Sequence, residues 1–197
     1  MAEQPVFVVT GPSGAGKGTL IQGLLARMPE LEHTISATTR AQRPGEEDGR
    51  EYWFLSAEEF ERRVQAGEFV EHASYSGRRY GTLRSELERR TGAGAPVVLE
   101  IEVQGARQIR ETMPEAVRIF IAPPSEEALR NRLVGRGTDD PDQVEARLRT
   151  AHEELAAQGE FPHVVINDRL DDAVEALEEV VRTSLGSEGR TPRKDSP

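Results

Sequence analysis

Gly11-Pro12-Ser13-Gly14-Ala15-Gly16-Lys17-Gly18-Thr19 is the stretch whose reading decides the fold. The residues ahead of it, Val6-Phe7-Val8-Val9, form an unbroken apolar run, which reads as a buried strand of a parallel sheet. Behind it Leu20, Ile21, Leu24, Leu25 and Met28 recur at helical spacing. Strand, glycine loop and helix are the context that a phosphate-binding loop requires. The glycines let the backbone turn tightly and aim its N–H groups at one point, and the helix N-terminus adds positive partial charge there. Lys17 brings a full positive charge for β- and γ-phosphate oxygens. The alternative, a glycine-rich turn that binds nothing, explains the lysine and the flanking elements less well.

One position departs from the pattern. The lysine of such a loop is normally followed by Ser or Thr, whose hydroxyl reaches Mg2+. Here Gly18 stands in that place. Thr19 follows one residue later, about 100° further round a helix of 3.6 residues per turn, and is not a simple substitute. A metal ion would then rest on phosphate oxygens, water and a carboxylate.

Composition bounds the rest. A chain of 197 residues supports one well-cored domain with inserted subdomains. There is no run of eighteen apolar residues and no basic-then-apolar leader, so neither a membrane span nor a secretory signal is expected. Cysteine is absent, which excludes disulfides and thiolate metal sites and is compatible with a cytoplasmic setting. The net charge of −10 argues against nucleic acid as a partner, so any anion must be caught by local positive clusters. Only Lys17 and Lys194 are lysines, and every other strong base is arginine. The one lysine in the body of the chain therefore sits in the loop, where a point charge on a flexible stem is used.

Along the chain, strands are expected at 33–37, 52–55, 69–75 and around Tyr80, then at 96–101, 117–121 and 164–166. Ser56 and Glu59 have capping-box spacing before a helix running to about Ala66 and ended by Gly67. Further helices are expected at 82–91, at 104–112, after Ser125, from Pro141, and from Asp171 or Asp172. The segment 38–50 reads as a polar loop, and residues from Gly186 onward as a disordered tail. Alternating strands and helices behind a phosphate loop imply an α/β fold with a doubly wound parallel sheet and ligands at the carboxyl ends of its strands.

Several further motifs stand in a fixed order: Ser36-Ala-Thr-Thr-Arg40, Arg43-Pro-Gly-Glu46, Tyr80-Gly81-Thr82, Glu100-Ile-Glu102-x-Gln104-Gly105, Ile121-Ala-Pro-Pro-Ser125, Gly135-Arg-Gly-Thr138 and Val165-Ile-Asn167-Asp168. Together with the loop they make the chain resemble the guanylate kinase family over nearly its whole length, from about Phe7 to Val181. The resemblance implies a P-loop fold over 4–184, with core segments 4–36, 93–124 and 160–184, a GMP-binding insertion at 37–92 and a helical lid at about 125–159. It implies phosphoryl transfer from ATP to GMP with Mg2+, in a monomer or small homo-oligomer. Two alternatives stand beside it: a related module that has lost catalysis and binds protein partners, and a kinase for another small phosphate acceptor.

By the same resemblance, Gly11 to Thr19 and Asn167 hold ATP. Arg40, Arg43, Tyr52 and Tyr80 hold the GMP phosphate, with Glu46 shaping their loop and Gly81 beside them. Guanidinium forks match phosphate oxygens, which supports the two arginines physically. Glu71 is implied as the carboxylate for guanine, with Ser36 and Thr82 supplying hydroxyls. Guanine presents N1–H and an exocyclic amine side by side, so one carboxylate accepts both. Lys17, Arg40, Arg132, Arg136 and Arg147 are implied as the catalytic cations. Glu100 and Glu102 end a core strand facing the loop, where carboxylates hold Mg2+ or orient the acceptor, Glu100 being the metal candidate. The family usually carries Asp at one or both positions, and the two side chains are expected to make different contacts. The four histidines show no ligand spacing and are read as structural. Taken singly, Arg43, Glu71 or Arg147 would each read as a solvated surface charge. Their place in the ordered motifs carries the assignment.

Overall fold

The computed structural model describes residues 4–134 and 141–187. Its centre is a five-stranded, fully parallel sheet in the order β2-β7-β1-β8-β9. The strands are β1 (Val6–Thr10), β2 (Glu32–His33), β7 (Val97–Glu100), β8 (Val117–Ala122) and β9 (His163–Ile166). Helices α1 (Lys17–Arg27) and α7 (Leu170–Ser187) cover one face, and α3 (Arg84–Gly92) and α4 (Val103–Thr112) cover the other. The sheet is thus doubly wound. Alternation explains the two cores. Phe7, Val9, Val98, Ile119, Ile121 and Val165 pack with α1 and α7. Val8, Val97, Leu99 and Phe120 pack with α4. On edge strand β9 only Val165 is covered, while Val164 and Ile166 are 40% and 50% exposed.

A second, smaller sheet has the order β4-β3-β6-β5. It comprises β3 (Ala37–Thr38), β4 (Trp53–Phe54), β5 (Phe69–Tyr75) and β6 (Arg78–Leu83), backed by α2 (Ala57–Gln65). Ser56 caps α2 by accepting from the Glu59 N–H at 3.1 Å. The return half of the capping box is not made, because Glu59 spends its carboxylate on Arg62 and Arg63. β5 and β6 form a hairpin turned by Ser76 and Gly77, both at positive φ as that tight turn requires. The helices α5 (Glu126–Val134) and α6 (Pro141–Ala156), followed by a 3₁₀ turn at Ala157–Glu160, lie over the loop end of the core. Ser125 caps α5 through the Ala128 N–H at 3.1 Å.

The structure corrects four expectations. The strand expected at 33–37 is two short strands in different sheets. Glu32 and His33 pair with β7, and Ala37 and Thr38 pair with β4 and β6. Tyr80 lies within β6, and so does Thr82, which pairs with Glu71; the helix expected from 82 therefore starts at Arg84. The final helix begins at Leu170, ahead of both expected aspartates. It also runs through Gly186 to Ser187, two residues expected in the disordered tail, and 188–197 lie outside the described residues.

Candidate active site

The parallel strands end at one rim, and a cleft of about 400 Å3 opens there between the two sheets. The glycine loop forms one wall. Gly16 sits at φ 87° immediately before α1, and a Cβ there would stand 2.5 Å from Asn167 Nδ2. No other residue fits that conformation and that gap. Asn167 in turn donates its amide to the Ala15 carbonyl at 2.7 Å. It supports the loop from outside the cleft, at the end of β9. Lys17 Nζ donates to the Gly11 carbonyl at 2.6 Å and to the Pro12 carbonyl at 3.4 Å, folded back over its own loop.

The helices above the loop reach down to it. Arg147 donates to Ser13 Oγ at 3.0 Å, and Arg132 donates to the Asn167 carbonyl at 2.8 Å. Arg132 keeps a second guanidinium nitrogen buried without a partner. Arg136 lies outside the described residues. Sequence reading passed over Glu154, whose carboxylate accepts from the Ser13 N–H at 3.3 Å. Burial pushes its pKa up, and neighbouring Glu102 adds to the shift against the opposing Lys17 charge. Glu154 is one of three glutamates in α6, and only the path of that helix over the loop distinguishes it.

The opposite wall comes from the second sheet. Glu71, 2% exposed, accepts from Thr82 Oγ1 at 2.8 Å. Burial raises its carboxyl to about 7, against the hydrogen bonds from Thr82. Gly105 on α4 makes the room: a Cβ there would collide with Glu71 Oε2. Ser36, Tyr52, Tyr80 and Gly81 line the same wall. The Tyr52 and Tyr80 rings meet edge to face at 6.1 Å. Arg40 stands 5.2 Å over the Tyr52 ring and pairs with Glu46 at 2.7 Å. The other oxygen of Glu46 accepts from the Arg43 N–H at 2.8 Å, so one carboxylate ties both ends of the arginine loop. The Arg43 residue itself is exposed.

Glu100 and Glu102 both line the cleft, as residues two apart on a strand do. Glu100 ends β7, and Glu102 precedes the first turn of α4. Their neighbours still differ. Glu100 lies against Gly18 and near Lys17, while Glu102 lies near Glu71 and Glu154. Burial raises the Glu100 carboxyl, with Lys17 opposing and Glu102 adding to the shift. Among the described residues, no group of three or more His, Cys, Asp or Glu side chains could enclose a metal ion. That donor set fits Mg2+, which keeps waters and takes substrate phosphate oxygens beside one or two carboxylates.

A family model described as guanylate kinase matches residues 3–184. The chain belongs to the guanylate kinase family. A guanylate kinase of Parasynechococcus marenigrum is 54% identical over 171 residues, covering 87% of this chain and 94% of the relative. One of Rubrobacter xylanophilus is 51% identical over 177 residues, covering 90% and 93%. The crystal structure of guanylate kinase from Anaplasma phagocytophilum superposes with a TM-score of 0.74 at 31% identity, covering 93% of this chain and 87% of that one. Within the guanylate kinase frame, the phosphate loop and the Glu71 wall face each other across one cleft. No helix among the described residues is long and apolar enough to cross a membrane.

Proposed function

We infer that this chain is a guanylate kinase that transfers the terminal phosphoryl group of ATP to GMP, giving ADP and GDP. One observation carries the assignment of substrates to walls: a lysine-bearing glycine loop faces a buried carboxylate across a single cleft. ATP phosphates lie on the loop from Gly11 to Thr19, where backbone N–H groups and Lys17 surround them. For this to happen Lys17 leaves the Gly11 and Pro12 carbonyls, and the Glu154 carboxylate gives up the Ser13 N–H. GMP enters from the other side. Its base meets Glu71, ionised, with Thr82 and Ser36 beside it. Its phosphate meets Arg40, Arg43, Tyr52 and Tyr80. Adenine offers a lone pair where guanine offers N1–H, so AMP would leave Glu71 unpaired and buried.

Phosphoryl transfer of this kind needs no covalent enzyme intermediate. It needs two phosphates brought into line and negative charge neutralised. Arg40 and Arg43 orient the attacking phosphate. Lys17, Arg132, Arg136 and Arg147 balance charge on the group in flight. Glu100 at the end of β7 would hold Mg2+, which would supply neutralisation of phosphate charge. The segment 37–92 serves as the GMP-binding part and 125–159 as a lid that excludes water. We read the setting as cytoplasmic, since both substrates are cytoplasmic nucleotides. A coupled ADP-release assay with ATP and Mg2+, offering GMP, AMP, UMP and CMP in parallel, tests the whole reading. Turnover with GMP alone is expected. Turnover with AMP or a pyrimidine nucleotide would overturn the role of Glu71.

A further inference from the structure

Two departures from the usual pattern, Gly18 in the loop and Glu100 at the end of β7, are far apart in sequence but adjacent in space. A Cβ built on Gly18 would stand 3.4 Å from Glu100 Oε2 and 3.8 Å from its Oε1. The carboxylate therefore already occupies the surroundings into which a serine or threonine hydroxyl at position 18 would project. Register fixes this meeting. Glu100 pairs with Val9, the Ile101 N–H donates to the Val9 carbonyl at 3.2 Å, and Val9 leads directly into the loop. The Lys17 charge acts on Glu100, yet its Nζ is engaged by loop carbonyls. Among the described residues no N–H or O–H donates to the Glu100 carboxylate. Glu100 is partly buried and lines the cleft, so its carboxylate is open to a cation there.

We propose that Glu100 replaces the missing loop hydroxyl as a direct ligand of the nucleotide-bound divalent cation, and that its extra methylene, relative to aspartate, is what spans the gap left by Gly18. The inference rests on the reading of the loop as the ATP site. It makes the two positions an interchangeable pair. A chain with a hydroxyl at 18 can use a shorter acid at 100, and a chain with glycine at 18 cannot.

The test is a double-mutant cycle on metal affinity. Mn2+ is titrated into protein saturated with a non-transferable ATP analogue, and free Mn2+ is read by electron paramagnetic resonance. Binding of the analogue alone is measured first, by calorimetry without metal. Glu100→Asp is expected to weaken Mn2+ binding about tenfold, and the isosteric Glu100→Gln by more, in the range that loss of a metal-site group produces. Gly18→Ser alone supplies the third corner of the cycle. Gly18→Ser combined with Glu100→Asp should bring Mn2+ affinity back to within about threefold of the parent, the non-additivity expected of groups in contact. Unaltered Mn2+ affinity in both Glu100 variants, or strictly additive effects in the double variant, would overturn the pairing while leaving the ATP site intact. Failure of the analogue to bind the parent protein would remove both the pairing and the loop assignment. Both Glu100 variants keep the strand backbone, and circular dichroism confirms that each is folded before titration.

Discussion

The two walls of the cleft are built in opposite ways. The wall proposed for the donor rests on parallel strands buried on both faces and presents the glycine loop to the cleft. The wall proposed for the acceptor rests partly on two-residue strands and presents the side chains of Glu71, Tyr52 and Tyr80. A backbone cradle reads charge and is indifferent to the base. A buried carboxylate with one hydroxyl partner reads a hydrogen-bond pattern. On the proposed reading, affinity for phosphate and choice of base lie in separate structural layers, and substitutions should separate them.

The largest effect is expected on the donor side. Lys17→Ala should lower kcat about a thousandfold or more, since cations at the transferring group contribute on that scale. Its melting temperature should stay close to the parent value, because Lys17 bonds only loop carbonyls. A kcat within tenfold of the parent would show that the loop does not carry the transfer.

On the acceptor side, Glu71→Gln should raise the KM for GMP about 10- to 100-fold, the cost of mispairing a buried polar group, and leave the KM for ATP within about twofold. An equal rise in both would erase the separation of the walls. The same residue sets a pH dependence. Its carboxyl lies near 7 in the folded chain against an ordinary value of 4.5, so the folded state holds a proton that the unfolded chain releases. The stability contributed by Glu71 is therefore present below about 4.5 and lost as pH rises toward 7. Guanine needs the ionised form, so the KM for GMP should rise as pH falls below about 7, and the slope should vanish in Glu71→Gln. A pH-independent KM in the parent would contradict this.

A smaller effect tests the room made for that carboxylate. Alanine is the better helix former by about 1 kcal/mol, yet Gly105→Ala drives a methyl into Glu71. Overpacking costs about 1–3 kcal/mol and outweighs the propensity gain. A lower melting temperature and a severalfold higher KM for GMP are expected together. A more stable protein with unchanged KM would mean that Glu71 moves freely. The smallest effect belongs to the support of the second sheet. Ser56→Ala should cost about 1 kcal/mol through loss of the α2 cap, lowering the melting temperature by about 2–4 °C without altering kcat or either KM.

The same contrast decided what could be read in advance. Val6–Val9 and Val97–Leu99 are apolar runs, and Val117–Ile121 is one but for Arg118, because both faces of their sheet are covered, so their positions were legible without coordinates. The second sheet gave weaker signals. Ala37–Thr38 and Trp53–Phe54 are too short for periodicity, and Thr82 belongs to a strand only because Glu71 lies opposite it. Among the candidate site residues, the loop was visible as a local motif. The Arg40–Glu46–Arg43 tie was foreshadowed by spacing within one loop. Contacts made at long range were not legible: Asn167 bracing Ala15, Gly105 clearing space for Glu71, and Glu154 meeting Ser13. Each depends on where two distant elements cross, which no local pattern encodes.

Lys17 is the only lysine among the described residues, and Lys194 is the only other one in the chain. Biosynthetic labelling of lysine side-chain nitrogen would therefore give a two-signal spectrum of a 197-residue protein, with one signal reporting from inside the phosphate loop. Amine-reactive reagents would meet the same scarcity, with the chain's own amino terminus as the third target. A single atom of this fold, Lys17 Nζ, can thus be followed by itself, and the proposed exchange of the Gly11 and Pro12 carbonyls for nucleotide oxygens would move its signal.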